Sequence, residues 1–142
     1  MSSVGDARSV TLTRTAAGKF RATNARGGTV EIGSGDDAEI TPVELLLAAM
    51  GACTAIDVDI LTRRRAEPTR FEVTVSGAKA RDDQGNHLTD LDIAFVVGFP
   101  VGEAGDAARR VLPDAVRRSH ERLCTVSRTV ELPNTVTARI EA

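Results

Sequence analysis

Apolar and polar residues alternate in short bursts from Ser9 to Ile32: Val10-Thr11-Leu12-Thr13, then Phe20 to Thr23, then Thr29 to Ile32. Ala16-Ala17-Gly18 and Gly27-Gly28 supply turn signals between them, so three short strands are predicted. At Thr41-Pro42-Val43-Glu44 the period changes. Thr41 can act as an N-cap, Pro42 occupies the tolerated first helical position, and Glu44 three residues after the cap completes a capping box. The helix so opened is predicted to run to about Arg65. Its first half, Leu45 to Cys53, is apolar on every face, which marks a helix enclosed by protein; its second half turns polar, with Asp59 and Arg63 spaced as an i,i+4 ion pair. A chain of this length has little material with which to enclose such a helix, so a partner subunit is expected to supply part of the covering. Beyond Pro68, Phe71 to Val75 alternates in the strand period, Arg81 to Asn86 reads as a polar loop, and Leu91 to Phe99 reads as a second strand of an antiparallel hairpin. Gly105 to Leu112 is predicted helical, Pro113 restarts the helix, and Ala115 to Leu123 continues it. A last strand is expected over Thr129 to Ile140, bent at Pro133-Asn134. The order of elements is that of an α+β fold, with no internal repeat or linker and a single domain over residues 1–142.

Composition narrows the function. The 18 Lys and Arg against 20 Asp and Glu give a formal charge of -2, without the basic excess that holds nucleic acid by counterion release. Four Phe and no Trp or Tyr leave no aromatic stacking platform. The loop Gly33-Ser34-Gly35-Asp36-Asp37 and the pair Gly27-Gly28 do not match a phosphate-binding fingerprint, so no nucleotide cofactor is expected. Met1 to Asp6 carries no basic region followed by an apolar stretch, so no secretion signal is expected and a cytoplasmic, reducing location follows as the default. The uncharged apolar run Leu45 to Ile56 is shorter than the ~20 residues that cross a bilayer, and no membrane association is expected.

Chemistry then rests on two cysteines, Cys53 and Cys124, which with His87 and His120 form no zinc spacing. Cys53 lies midway along the enclosed helix, where a cysteine is often only a small hydrophobe. Asp57, one turn on, is an anion that by itself raises the thiol pKa, so ionisation of Cys53 requires a cation from elsewhere, an arginine being the natural choice. Cys124 sits in His120-Glu121-Arg122-Leu123-Cys124-Thr125-Val126-Ser127, at a corner after the second helix. It reads equally as a buried structural cysteine, with His120 a surface residue. A metal site built from Cys53, Cys124, His120 and a carboxylate rests on residue types alone and ranks last.

The segment Thr41 to Cys53 resembles the proline-led helix ending in the reactive cysteine of the OsmC/Ohr family of thiol-dependent hydroperoxide reductases, and Cys124-Thr125-Val126-Ser127 is similar to the Cys-x-x-Ser around that family's second cysteine. The order of elements fits along nearly the whole chain. The resemblance implies an intertwined homodimer in which two six-stranded antiparallel sheets wrap the cysteine-bearing helices. It implies a peroxiredoxin-like antioxidant peroxidase: Cys53 attacks an organic hydroperoxide, hydrogen peroxide being a poorer substrate, Cys124 resolves the sulfenic acid as a disulfide, and a dithiol reductant restores both. The family also places an arginine and a glutamate beside the reactive cysteine. Aligned backwards from Cys53, the family's glutamate position holds Val43, and Glu44 follows one residue later, which is similar to the YhfA-like branch. Nine residues along an unbroken helix, about 180° round and ~13 Å along the axis, Glu44 cannot reach its own thiol. It serves the partner's site or acts only as the capping-box residue, and the sequence favours neither. For the arginine, Arg21 and Arg26 lie on the N-terminal strands, and Asn24-Ala25-Arg26-Gly27 is a turn that can present the guanidinium of Arg26. The alternative is a non-catalytic small-molecule-binding or redox-sensing dimer that keeps the fold; Asp57 beside the thiol motivates it.

Overall fold

The computed structural model describes residues 6–141, so the expectation drawn from Met1–Asp6 lies, Asp6 apart, outside the described residues. The chain divides into two compact units, Met1–Leu46 and Leu47–Ala142.

In the first unit β1 (Thr11–Ala16), β2 (Lys19–Thr23) and β3 (Thr29–Ile32) form an antiparallel meander in the order β1-β2-β3, as the alternation predicts. Phe20 pairs with Ile32, and Ala22 and Ile32 are buried. Gly18 turns β1 into β2 at φ 70°, a conformation that only glycine adopts freely. At the β2–β3 turn the Asn24 carboxamide oxygen accepts the backbone N–H groups of Arg26 (3.1 Å) and Gly28 (2.8 Å), which fixes the backbone from which the Arg26 side chain projects.

Helix α1 (Pro42–Arg63) begins in the first unit and continues in the second. Its start is the capping box expected: Glu44 N–H donates to Thr41 Oγ1 at 3.2 Å, and Thr41 N–H donates to Glu44 Oε1 at 2.9 Å. The helix ends at Arg63 rather than Arg65, and Arg63 pairs with Asp59 at 3.0 Å. Among the described residues one stripe of α1 is fully buried. Met50, Thr54, Val58 and Thr62, four residues apart, are buried together with Gly51, whereas Val43, Leu46, Ile56 and Ile60 are exposed. By length and composition the whole of α1 is long and apolar enough to cross a membrane, a property that protein core helices share. Its buried stripe is that of a protein core helix, packed against a sheet.

That sheet is the hairpin of β4 (Arg70–Asp82) and β5 (Gly85–Gly98), and both strands outrun the prediction. The expected loop Arg81–Asn86 is instead paired: Arg81 faces Asn86 and Asp82 faces Gly85, leaving Asp83 and Gln84 as the turn. Backbone pairing needs no apolar side chains, so a polar, solvated arm extends the ladder where alternation gives no signal. Phe71, Val73 and Val75, opposite Val97, Phe95 and Ile93, make one face of the hairpin, with Phe71 and Phe95 edge to face at 6.4 Å. Gly51 of α1 lies against Val73 and Val75 of that face.

After the hairpin α2 (Glu103–Arg118) runs unbroken through Pro113, where an interruption was expected, and passes into a π-helical turn, Ser119–Leu123. Cys124 follows, and α3 (Thr125–Glu131) replaces the first part of the last predicted strand. The β-branched residues of Thr125–Glu131 favour a strand locally, but Cys124 caps this segment and Ser127 is buried, so packing decides for helix. Residues 133–140 have no regular structure and are exposed. The chain is thus α+β, with sheets of three and two strands among the described residues in place of a six-stranded sheet.

Candidate functional site

The second unit brings Cys53 of α1 and Cys124 to the first turn of α3, close enough for each thiol to alter the ionisation of the other. Cys53 is half-buried and Cys124 is buried. Cys124 is held on three sides. Its backbone N–H donates to Ser119 O at 2.9 Å, closing the π-helical turn. Its thiol donates to Ser127 Oγ at 3.3 Å, and Ser127 N–H donates to its sulfur at 3.3 Å, so the sulfur caps α3. The serine of Cys-x-x-Ser is therefore a partner of the thiol, with hydroxyl and amide both engaged.

The two thiols differ in acidity for identifiable reasons. Burial pushes Cys53 up, Cys124 and Asp57 push it further, and the Val126 N–H works against them; the net shift is upward. Burial also pushes Cys124 up. The Ser127 hydroxyl, Thr54, the Ser127 N–H and Cys53 together outweigh it, so that Cys124 lies below its ordinary value. The Thr54 hydroxyl is itself buried and makes no hydrogen bond of ordinary geometry, but it lies near enough to Cys124 to favour the thiolate there. Thr54 and Ser127 stand in the wall of a cavity of about 470 Å³ whose remaining lining is largely apolar, including Met50, Ile93, Phe95 and Val130.

The other residues expected at the site fall as follows. Asp57, one turn from Cys53, accepts a 2.7 Å hydrogen bond from the Ser119 hydroxyl. Glu44 closes the capping box, on the same unbroken helix as Cys53. Arg21 pairs with Glu31 at 2.5 Å, whereas the Arg26 side chain has no ion-pair partner among the described residues. His120 is exposed, 3.8 Å from Glu131, and both stand in the wall of the same cavity. His87 lies 3.8 Å from Asp82 near the hairpin tip. No cluster of three or more metal-ligating side chains occurs among the described residues. Sequence reading missed Ser119 and Thr54. Neither belongs to a motif, and the signal for Ser119 lies in a partner 62 residues away.

What this arrangement can do is two-electron thiol chemistry: an accessible sulfur beside a buried, more acidic one. The fold is shared with known proteins. The family model described as OsmC-like protein matches residues 34–139. Among solved structures, a hypothetical protein from Aquifex aeolicus superposes with a TM-score of 0.70 at 22% identity, over 89% of both chains. An OsmC-like protein of unknown function from Vibrio cholerae gives 0.68 at 13% identity, over 89% of this chain and 95% of that one. The organic hydroperoxide resistance protein OhrB of Bacillus subtilis gives 0.54 at 16% identity, over 89% and 91%. No curated protein matches the chain. With the family match spanning the cysteine helix, the hairpin and the second cysteine, the chain belongs to the OsmC-like family.

Proposed function

We propose that the protein is a thiol-dependent peroxidase that reduces organic hydroperoxides through Cys53 and Cys124. The observation that carries this reading is the pairing of the two thiols over the first turn of α3. Accessibility divides their roles: Cys53, half-buried, can meet a substrate that the buried Cys124 cannot. The Cys53 thiolate attacks a peroxide oxygen, the O–O bond breaks, and the alkoxide leaves as the alcohol after taking a proton. Cys53 becomes a sulfenic acid. Cys124, the more acidic thiol, then attacks the Cys53 sulfur and expels water, and a dithiol reductant of the cytoplasm restores both. The apolar cavity beside Thr54 and Ser127 suits the organic group of the peroxide.

Among the described residues of the second unit no cation acts on Cys53, and its pKa is raised, so the reading assigns that cation to Arg26, whose guanidinium is not engaged in an ion pair among the described residues. Glu44 serves first as the helix cap, and in an assembly its carboxylate orients that arginine. The assembly proposed is an intertwined homodimer formed by single-domain protomers. The exposed Ile56 and Ile60 on the cysteine helix call for a covering, and a three-stranded sheet, a two-stranded hairpin and an unpaired tail hold the strands of a six-stranded sheet.

One equivalent of cumene hydroperoxide should convert the reduced protein to a species two hydrogens lighter, with Cys53 and Cys124 linked in the peptide map. Cys53→Ser should abolish peroxide consumption, and Cys124→Ser should stop at the sulfenic acid. Unchanged consumption in Cys53→Ser would sink the mechanism. The raised pKa of Cys53 favours a second reading, a dimer that binds a small molecule or senses redox state without turnover. A Cys53 pKa that stays above the ordinary thiol value in the assembled protein selects that reading, and one well below it selects the enzyme.

A further inference from the structure

We propose that Ser119 and Asp57 are positioning residues that hold Cys124 in register with Cys53, so that the two close into a disulfide without rearrangement. The inference rests on the reading that the pair is redox-active. Ser119 is fully buried and uses every polar group it has. Its N–H is bonded within α2, to the carbonyls of Ala115 and Val116. Its carbonyl accepts the Cys124 N–H at 2.9 Å, and its hydroxyl donates to Asp57 Oδ2 at 2.7 Å. Asp57 is one helical turn beyond Cys53, so two hydrogen bonds through one residue join the turn that carries Cys53 to the backbone of Cys124.

Two further features of the sequence fit this role. The segment before Cys124 is a π-helical turn, in which the bond from Cys124 N–H reaches back five residues to Ser119. Such a turn re-aims the residue that follows it and recurs at functional sites. Asp57 also places a negative charge beside a thiol that must ionise, and Cys53 is raised in part because of it. An anion at that position hinders attack on a peroxide. Its hydrogen bond to Ser119 supplies a reason for its presence that the attack itself does not. The gain is geometric: a preset approach of two sulfurs converts ring closure into a step of high effective concentration.

The test leaves peroxide aside and equilibrates the full-length protein in buffers of reduced and oxidised glutathione. Oxidised glutathione takes two electrons and the two thiol protons, yielding two reduced glutathiones and the Cys53–Cys124 disulfide. Mass spectrometry of the acid-quenched protein gives the effective concentration of one thiol for the other. Asp57→Ala and Ser119→Ala should each lower it about tenfold or more, the range expected when a partly buried hydrogen bond to a charged group is lost. Asp57→Asn keeps an oxygen that can accept from Ser119 and should stay within about twofold of the parent, a rescue that loss of general packing would not show. Should Ser119→Ala fail to fold, the pair of variants at the half-buried Asp57 still decides. An effective concentration unchanged in Asp57→Ala, or an Asp57→Asn variant as impaired as Asp57→Ala, overturns the positioning role. A parent protein that forms no intramolecular disulfide in these buffers overturns the redox reading itself, and one that forms it but ignores peroxide overturns only the peroxidase.

Discussion

Two thiols that alter each other's ionisation cannot both ionise freely, and the corner at α3 assigns the first charge to Cys124 and delays the second at Cys53. The absence of Tyr makes this measurable, because no phenol titrates in the range where thiolate absorbance is followed. The ultraviolet titration of the reduced protein should show one proton leaving below the ordinary thiol value and one above it. Cys124→Ser should remove the first step and bring Cys53 down, since Cys124 is among the groups that raise it; Asp57→Asn should bring the second step down through loss of the anion. A Cys53 step that moves in neither variant would contradict both causes. At this scale the sequence was informative where a motif marks a residue. Cys53, Cys124 and Ser127 are all marked by their segments, and the spacing of Asp57 identifies it as the neighbour that burdens the thiol. Ser119 was invisible, because a serine in a charged helical stretch looks solvated until packing brings Asp57 to it from 62 residues away.

Among the elements, α1 is the best specified by its own residues, and its start and its one glycine lend themselves to measurement. Thr41→Ala should cost about 1 kcal/mol in urea denaturation, by removing the acceptor of the Glu44 N–H. Gly51 reverses a usual rule. In a free helix interior Gly→Ala stabilises by about 1 kcal/mol. A Cβ at Gly51 would lie 2.5 Å from Val75 Cγ2, so Gly51→Ala should destabilise by about 1–2 kcal/mol and Gly51→Val by more. A stabilising Gly51→Ala would mean that the helix does not press on β4. The three N-terminal strands, the capped helix and the hairpin were legible because periodicity and turn chemistry agree there. The segment after Cys124 was not, because its alternating β-branched residues read as a strand while a cysteine, an unusual capping residue, nucleates α3. The polar arm of the hairpin was equally hidden, since its ladder is made by backbone groups alone.

For the whole molecule, α+β order and family were readable from the chain, whereas the covering of α1 was readable only as a deficit. Among the described residues one stripe of that helix is buried, while Val43, Leu46, Ile56 and Ile60 are exposed, and the proposed dimer would cover them. Sedimentation at micromolar concentration should give a dimer, and a monomer there would remove the basis for the shared site. The tail at residues 133–140 turns this into a kinetic reporter. Val136 and Ile140 are 92% and 99% exposed, and Arg139 between them is a tryptic site on backbone without regular structure. Proteases cut extended, unpaired chain and spare paired strands. Cleavage after Arg139 should therefore slow as protein concentration rises, and its rate under dilution would clock the exchange of subunits.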